Sequence, residues 1–198
     1  LTANEMETFL PKFGKILTDY EVGLFFFAGH GFQVGGKNYI ACKDTGFTDE
    51  STARNTGFSL DNVIDVFEKS KLLVKILIID ACRGGISGGT RGFSEGLAPI
   101  SAPKGTIIAF STSPGQTAKE DDKHGFYTDA LLNHIKTPKI TIEEMFKRVR
   151  NEVYQRTEGK QVTWEHTSLL GEFSFRGSFI SLSDLPYSNH AMADHDYT

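Results

Sequence analysis

Three stretches of this chain, Val22–Ala28, Lys75–Asp80 and Gly105–Ser111, are apolar, of strand length and free of the alternation that marks a half-solvated strand. Continuous apolar strands bury both faces, which happens when helices cover both sides of a parallel sheet. Helical patterns fall between them. Thr2 and Glu5 can form a capping box, and Met6, Phe9, Leu10, Phe13, Ile16 and Leu17 then recur at three- and four-residue spacing. Ser59 suits the N-cap of a helix carrying Val63, Val66 and Phe67, and a further helix lies near Thr128–Ile135. Thr141 and Glu144 form a second capping-box pattern, ahead of Ile142, Met145, Phe146, Val149 and Val153 on one face. Asn38–Cys42 reads as a small hairpin arm and Leu169–Phe175 as a last strand. Alternating strands and helices predict an α/β three-layer sandwich with a mostly parallel central sheet flanked by helices.

Two of the strands end alike. The first runs to Gly29-His30-Gly31 and the second to Asp80-Ala81-Cys82-Arg83-Gly84, so each stops at a glycine-bearing turn with one reactive side chain. In open α/β sheets, sites form beyond the carboxyl ends of the strands. Neighbouring strands lie ~5 Å apart, so His30 would then reach Cys82. A thiolate is a strong nucleophile, and an adjacent imidazole can hold it ready and later protonate a leaving amine. Backbone N–H groups at such turns can stabilise a developing oxyanion. Taken singly, Cys82 also reads as a small buried hydrophobe and His30 as a turn residue. Their matched placement favours chemistry.

The rest of the composition narrows the partners. A net charge of −4 and a pI near 5.9 argue against nucleic acid and anionic membrane. No run approaches the ~20 apolar residues of a membrane helix. Two cysteines make no disulfide framework, and nothing at the N-terminus resembles a secretory signal, so a cytoplasmic protein is expected. Metal-ligand spacings such as C-x-x-C are absent, and Gly84–Gly89 lacks the Lys-Ser/Thr of a phosphate loop. Cys42 reads as structural. His124 lies in a loop, and His134, His166, His190 and His195 have no partner spacing.

Asp80-Ala-Cys-Arg-Gly84 resembles the Q-A-C-R-G signature of caspases, whose histidine lies roughly 50 residues upstream. Here His30 precedes Cys82 by 52 positions. Phe25-Phe-Phe-Ala-Gly-His-Gly31 likewise resembles the strand and Gly-His-Gly turn of caspase-like cysteine peptidases, in particular their bacterial or orthocaspase branch, related to metacaspases and paracaspases. The likeness continues through Asn38–Asp44, Gly105–Ala118 and Gly159–Phe175. It implies a peptidase domain over residues 1–180 and a polar tail or linker over 181–198. It also implies Cys82 as nucleophile, His30 as general acid/base, and the backbone N–H groups of Gly31 and Cys82 as oxyanion hole.

Where aspartate-cutting caspases carry Gln two positions before the cysteine, this chain has Asp80. A carboxylate there repels an acidic P1 side chain and pairs with a cationic one, most strongly a bidentate Arg. The expected activity is therefore cysteine endopeptidase cleavage after Arg or Lys. By itself, a strand-end Asp also serves to accept backbone amides of the next turn. Glu120, Asp121 and Asp122 lie in the loop after the third strand. The resemblance implies substrate binding for Glu120 and Asp121, while the run alone reads as solvated charge. Trp164 reads either as a cleft residue or as an ordinary core or surface aromatic.

Some features depart from the resemblance. The family's first strand and its acidic loop have no counterpart before Leu1, so an open position in the sheet and a larger polypeptide with regulatory domains or an activator are expected. Ala28 stands where a Ser is frequent two positions before the histidine. Calcium-dependent metacaspases use clustered aspartates, and Asp44 and Asp61 do not complete the oxygen-ligand set that calcium needs, so no cofactor is expected and calcium is possible but unsupported. The Gly-rich span Gly84–Pro103 reads as a long mobile loop, and Arg83, Arg91 and Lys104 offer sites for autoprocessing. Two other classes compete with the enzyme: a catalytically silent caspase-fold interaction module, and a ligand-sensing α/β domain in which Cys82 is incidental. Retention of both His30 and Cys82 favours the enzyme.

Overall fold

The computed structural model describes residues 1–82 (Cys82 by its backbone), 97–98, 100–113 and 125–177. Helix α1 (Ala3–Leu17) opens on the expected capping box, in which the Thr2 N–H donates to Glu5 Oε2 at 2.8 Å and the Glu5 N–H donates to Thr2 Oγ1 at 3.2 Å. Strand β1 (Val22–Val34) follows, then β2 (Lys37–Ile40), α2 (Glu50–Thr56), the two-residue β3 (Phe58–Ser59) and α3 (Leu60–Lys69). Strands β4 (Val74–Cys82) and β5 (Thr106–Phe110) precede α4 (Phe126–His134), α5 (Ile142–Arg156) and β6 (Trp164–Thr167).

The six strands form one sheet in the order β3-β2-β1-β4-β5-β6, with β1, β4 and β5 parallel and the outer strands antiparallel. Odd-numbered β4 residues and their same-face partners on β5, Leu77, Ile79, Ile108 and Phe110, pack on one face against Leu17, Leu60, Val63 and Phe67 of α1 and α3. Even-numbered β4 residues and their same-face partners, Ile76, Ile78, Ile107 and Ala109, pack on the other against Tyr127, Leu131, Phe146 and Val149 of α4 and α5. This is the three-layer sandwich that the unbroken apolar runs predict.

Strand β1 departs from the expected burial on both faces. Phe25 and Phe27 pack toward α1 and α3, but Leu24 is 41% and Phe26 44% exposed on the opposite face. The α4–α5 layer lies over β4 and β5, and among the described residues no helix covers Leu24 and Phe26 on that face of β1. The edge of Val22–His30 opposite β4 also has no strand partner among the described residues, because β2 pairs only with Gly31–Val34. Beside it, Met6, Phe9, Phe13, Phe25, Phe27 and Cys42 line an apolar groove of about 480 Å³.

Four local expectations are corrected. Strand β1 does not stop at Gly29-His30-Gly31: Phe32 and Val34 are buried, and the chain reverses only at Gly35-Gly36, whose φ values of 56° and 78° give a two-residue hairpin to β2. The expected strand at Leu169–Phe175 is absent. Strand β6 lies earlier, and Phe173 and Phe175 pack against the α4–α5 core instead, with the Phe173 carbonyl accepting the Ile142 N–H that opens α5. Thr141 caps α5 through the Glu144 N–H, but the Glu144 carboxylate turns to Arg148 at 3.1 Å rather than closing a box. Helix α2, unforeseen from the sequence, is capped by Asp49.

Of the Gly84–Pro103 span expected to be mobile, residues 97–98 and 100–103 are described, and they are pinned. Leu97 is buried in the core, and Asn38 holds Ala98 by two hydrogen bonds, Nδ2–H to the carbonyl at 2.9 Å and the N–H to Oδ1 at 2.6 Å. The remainder of that span, with Arg83 and Arg91, and the tail expected over 181–198 lie outside the described residues.

Candidate active site

The candidate site is set by register. Strands β1 and β4 are adjacent and parallel, and their Cα partners run from Val22 with Val74 to Ala28 with Asp80, Gly29 with Ala81 and His30 with Cys82. His30 and Cys82 therefore stand side by side on neighbouring strands, at the carboxyl end of the parallel sheet. His30 is also where β1 changes partner: its carbonyl accepts the Ala41 N–H at 2.8 Å as pairing with β2 begins. The imidazole is exposed there, beside the exposed face of β1.

Gly31 comes next. Since His30 and Ala41 form a hydrogen-bonded pair, alternation makes Gly31 and Ile40 a non-bonded one, so the Gly31 N–H points away from β2 and toward the side of β4. Gly31 is buried, and a Cβ added to it would come within 3.0 Å of the Ala81 Cβ and 3.2 Å of a Leu97 methyl. Glycine thus lets β1 lie close against both β4 and the returning segment at Leu97.

Asp80 lies two residues before Cys82 and is half-buried. Its side chain falls on the sheet face covered by α4, where Thr128 Oγ1 donates to Asp80 Oδ2 at 2.5 Å. Tyr127, the preceding residue, is fully buried, and its hydroxyl has no hydrogen-bond partner among the described residues. Burial, and to a lesser degree the charge of Asp80, pushes the Tyr127 phenol well above its usual range, so it stays neutral beside the carboxylate. On β1 the residue opposite Asp80 is Ala28, small and exposed. Asp80 thus stands between the first turn of α4 and the small side chain of Ala28.

Other expectations fall elsewhere. Glu120, Asp121, Asp122 and His124 lie outside the described residues, as do His190 and His195. His134 pairs with Glu152 at 2.9 Å, far along α4 from the site, and His166 lies on β6 against the ring of Trp164. Trp164 is 46% exposed on β6, opposite Phe110 near the carboxyl end of β5. Cys42 is half-buried against the α1–α3 core, and burial followed by the charge of Asp44 pushes its thiol up, which suits a structural cysteine. Asp44 accepts the Ala3 N–H at 3.0 Å, while Asp61 lies in the first turn of α3. Among the described residues no three His, Cys, Asp or Glu side chains converge as a metal site. No helix among them is long and apolar enough to cross a membrane.

Thr128 and Tyr127 are the residues that sequence reasoning missed. The available signal was a hydroxyl inside the apolar opening of a helix, at Phe126-Tyr127-Thr128, which the predicted start at Thr128 placed at the helix end rather than facing the sheet.

The family model of the caspase domain, a peptidase family, matches residues 1–174. The chain belongs to the caspase-domain family. Two solved structures share the fold: caspase-1 from Spodoptera frugiperda (TM-score 0.65, 20% identity, 89% of this chain and 72% of that one) and pro-sf-caspase-1 (TM-score 0.65, 21% identity, 90% and 73%). A probable protease of a Desulfuromonadales bacterium is 29% identical over 119 residues, which cover 54% of this chain. The chain spans 14% of the length of that relative. The parallel pairing of β1 and β4 sets Gly29 and His30 beside Ala81 and Cys82.

Proposed function

We propose that this caspase domain is a cysteine endopeptidase that hydrolyses peptide bonds after Arg or Lys. The observation that carries the reading is the register of β1 and β4, which sets His30 opposite Cys82 and Asp80 one strand period behind. Cys82 attacks the scissile carbonyl as the thiolate, and the negative charge that develops on the carbonyl oxygen is met by the N–H groups of Gly31 and Cys82. His30 takes the thiol proton and returns it to the leaving amine, and water then releases the acyl-enzyme with the imidazole as base. Asp80 receives the basic P1 side chain, which enters over the exposed Ala28 side of β1. Glu120 and Asp121 add negative charge to the substrate path in this reading. Control by further domains or an activator completes it, as does autoprocessing after Arg83, Arg91 or Lys104.

Matched fluorogenic peptides with P1 Arg, Lys, Asp or Ala test the proposal, with Cys82→Ala beside the parent. Turnover of the Arg and Lys peptides is expected, and the alanine variant should lose at least about a thousandfold, because the nucleophile itself is removed. Turnover confined to the Asp peptide would keep the peptidase and remove the role of Asp80. An absence of turnover together with an absence of Cys82 labelling by an Arg-based covalent inhibitor would favour a silent interaction module.

A further inference from the structure

The contact between Asp80 and Thr128 joins two elements that lie far apart in sequence. Asp80 lies two residues before the end of β4, and Thr128 belongs to the first turn of α4, 48 residues later. Helix α4 has no side-chain cap of its own, since its N-cap is Gly125. The Thr128 hydroxyl does not turn back on its own helix, as Thr157 does by donating to the Val153 carbonyl at 2.8 Å. It donates instead to one chosen oxygen of the Asp80 carboxylate, from a β-branched side chain whose χ1 is restricted.

A carboxylate tethered at one oxygen cannot spin freely about its Cβ–Cγ bond. An ionised carboxylate offers about four acceptor positions, and Thr128 takes one of them. What the tether fixes is the plane. A guanidinium binds a carboxylate through a planar fork of two parallel N–H···O bonds and depends on that plane. An ammonium is a point charge with three rotatable donors and is nearly indifferent to it.

We propose that Thr128 is a positioning residue that makes this site prefer Arg over Lys by holding the plane of the Asp80 carboxylate. The inference rests on the reading of Asp80 as the acceptor of a basic P1 side chain. Thr128 touches neither the substrate nor the reacting atoms. It acts through Asp80, and its effect is on discrimination rather than on the chemical step.

The test compares Thr128→Val, Thr128→Ser and Asp80→Asn on matched P1-Arg and P1-Lys peptides, alongside the rate of Cys82 labelling by Arg- and Lys-based covalent inhibitors and the melting temperature. Loss of one charge-assisted hydrogen bond is expected to lower kcat/KM for the Arg peptide about tenfold in Thr128→Val, with the Lys peptide changing less than about twofold. Thr128→Ser should restore the Arg/Lys ratio to within about twofold of the parent, since the hydroxyl is kept. If the valine destabilises the helix, Thr128→Ala removes the same hydroxyl without bulk and carries the same expectation. An equal fall on both peptides, an unchanged ratio, or a ratio that Ser does not rescue overturns the positioning role. The Asp80→Asn variant keeps the two readings apart. Should it abolish turnover of basic peptides while Thr128→Val leaves the ratio unmoved, only the role of Thr128 fails. Should it leave Arg turnover intact, or should the parent cleave no basic peptide, the basic pocket fails and this inference with it.

Discussion

Two aspartates in this domain each accept a threonine hydroxyl at the start of a helix, and they do so for different ends. Asp49 is the N-cap of α2. It accepts the Thr52 N–H at 2.9 Å and the Thr52 hydroxyl at 2.6 Å, three residues along the same segment, in full contact with solvent. Asp80 takes its threonine from a helix 48 residues away, half-buried, at the carboxyl end of the parallel sheet. The first contact is local and closes a helix end, as a cap does anywhere. The second ties a strand to a distant helix and leaves that helix with Gly125 as its own N-cap. A carboxylate bonded within its own segment stabilises that segment, whereas one bonded across the fold has its orientation set by the packing of distant elements.

Replacing each carboxylate by its amide sharpens that contrast. Asp80→Asn removes the charge that a basic P1 side chain would meet, and truncating one partner of a buried charged pair costs about 2–5 kcal/mol, so kcat/KM for an Arg peptide should fall on the order of a hundredfold or more. Asp49→Asn should leave every peptide unaffected, since Asp49 is an exposed cap of α2, which packs through Ala53 against Phe32 and Tyr39 of the β1–β2 hairpin, whereas Asp80 bonds to α4 on the other side of β1. Comparable losses in the two variants would show that both aspartates act through stability, and the contrast would collapse.

Tyr127 probes how the Asp80 contact is built. Its hydroxyl is buried without a partner among the described residues, and an unbonded buried hydroxyl is costly. Tyr127→Phe is therefore expected to leave stability unchanged or raise it by up to about 1 kcal/mol. Chemical denaturation measures this directly. A loss of more than about 1 kcal/mol would mean that the phenol is bonded at the Asp80 contact and that the carboxylate is held from two sides.

The same contrast explains what the sequence made legible. His30, Cys82 and Asp80 were readable because each sits at the end of a local pattern, an apolar run followed by glycine, and parallel pairing then places run beside run. Thr2, Ser59 and Thr141 were readable as caps for the same reason. Thr128 was not, because its partner is set by the packing of α4 on β4 rather than by any spacing. Nor was the exposed face of β1: Leu24 and Phe26 look like core in any window, and their exposure follows from where α4 and α5 lie. The true end of β1 was misread because two glycines flank His30, while the residues that actually reverse the chain are Gly35 and Gly36, both at positive φ. Pairing of Gly31–Val34 with β2 overrides the local glycine signal.

The smallest effect belongs to the local cap and concerns pH. Hydrogen bonds from the side chain and backbone of Thr52, with help from Thr48, lower the Asp49 carboxyl to about 2 from its ordinary 3.8. A depressed folded value means that the ionised form is the one the fold favours. The contribution of this cap is therefore complete above the unfolded value near 4 and is lost as pH falls from there through about 2. Amide exchange at Thr52 and Ala53 should accelerate, relative to the remaining helices, over that interval. Asparagine caps equally well but does not titrate, so Asp49→Asn should flatten the acid dependence of those amides while leaving their protection at neutral pH in place. An Asp49 carboxyl that titrates near its ordinary 3.8 by carbon-detected NMR would show that the cap bonds are not held in solution. The local member of the pair would then be no more than an exposed charge, and the Asp80–Thr128 bond across the fold would stand without a local counterpart among the described residues.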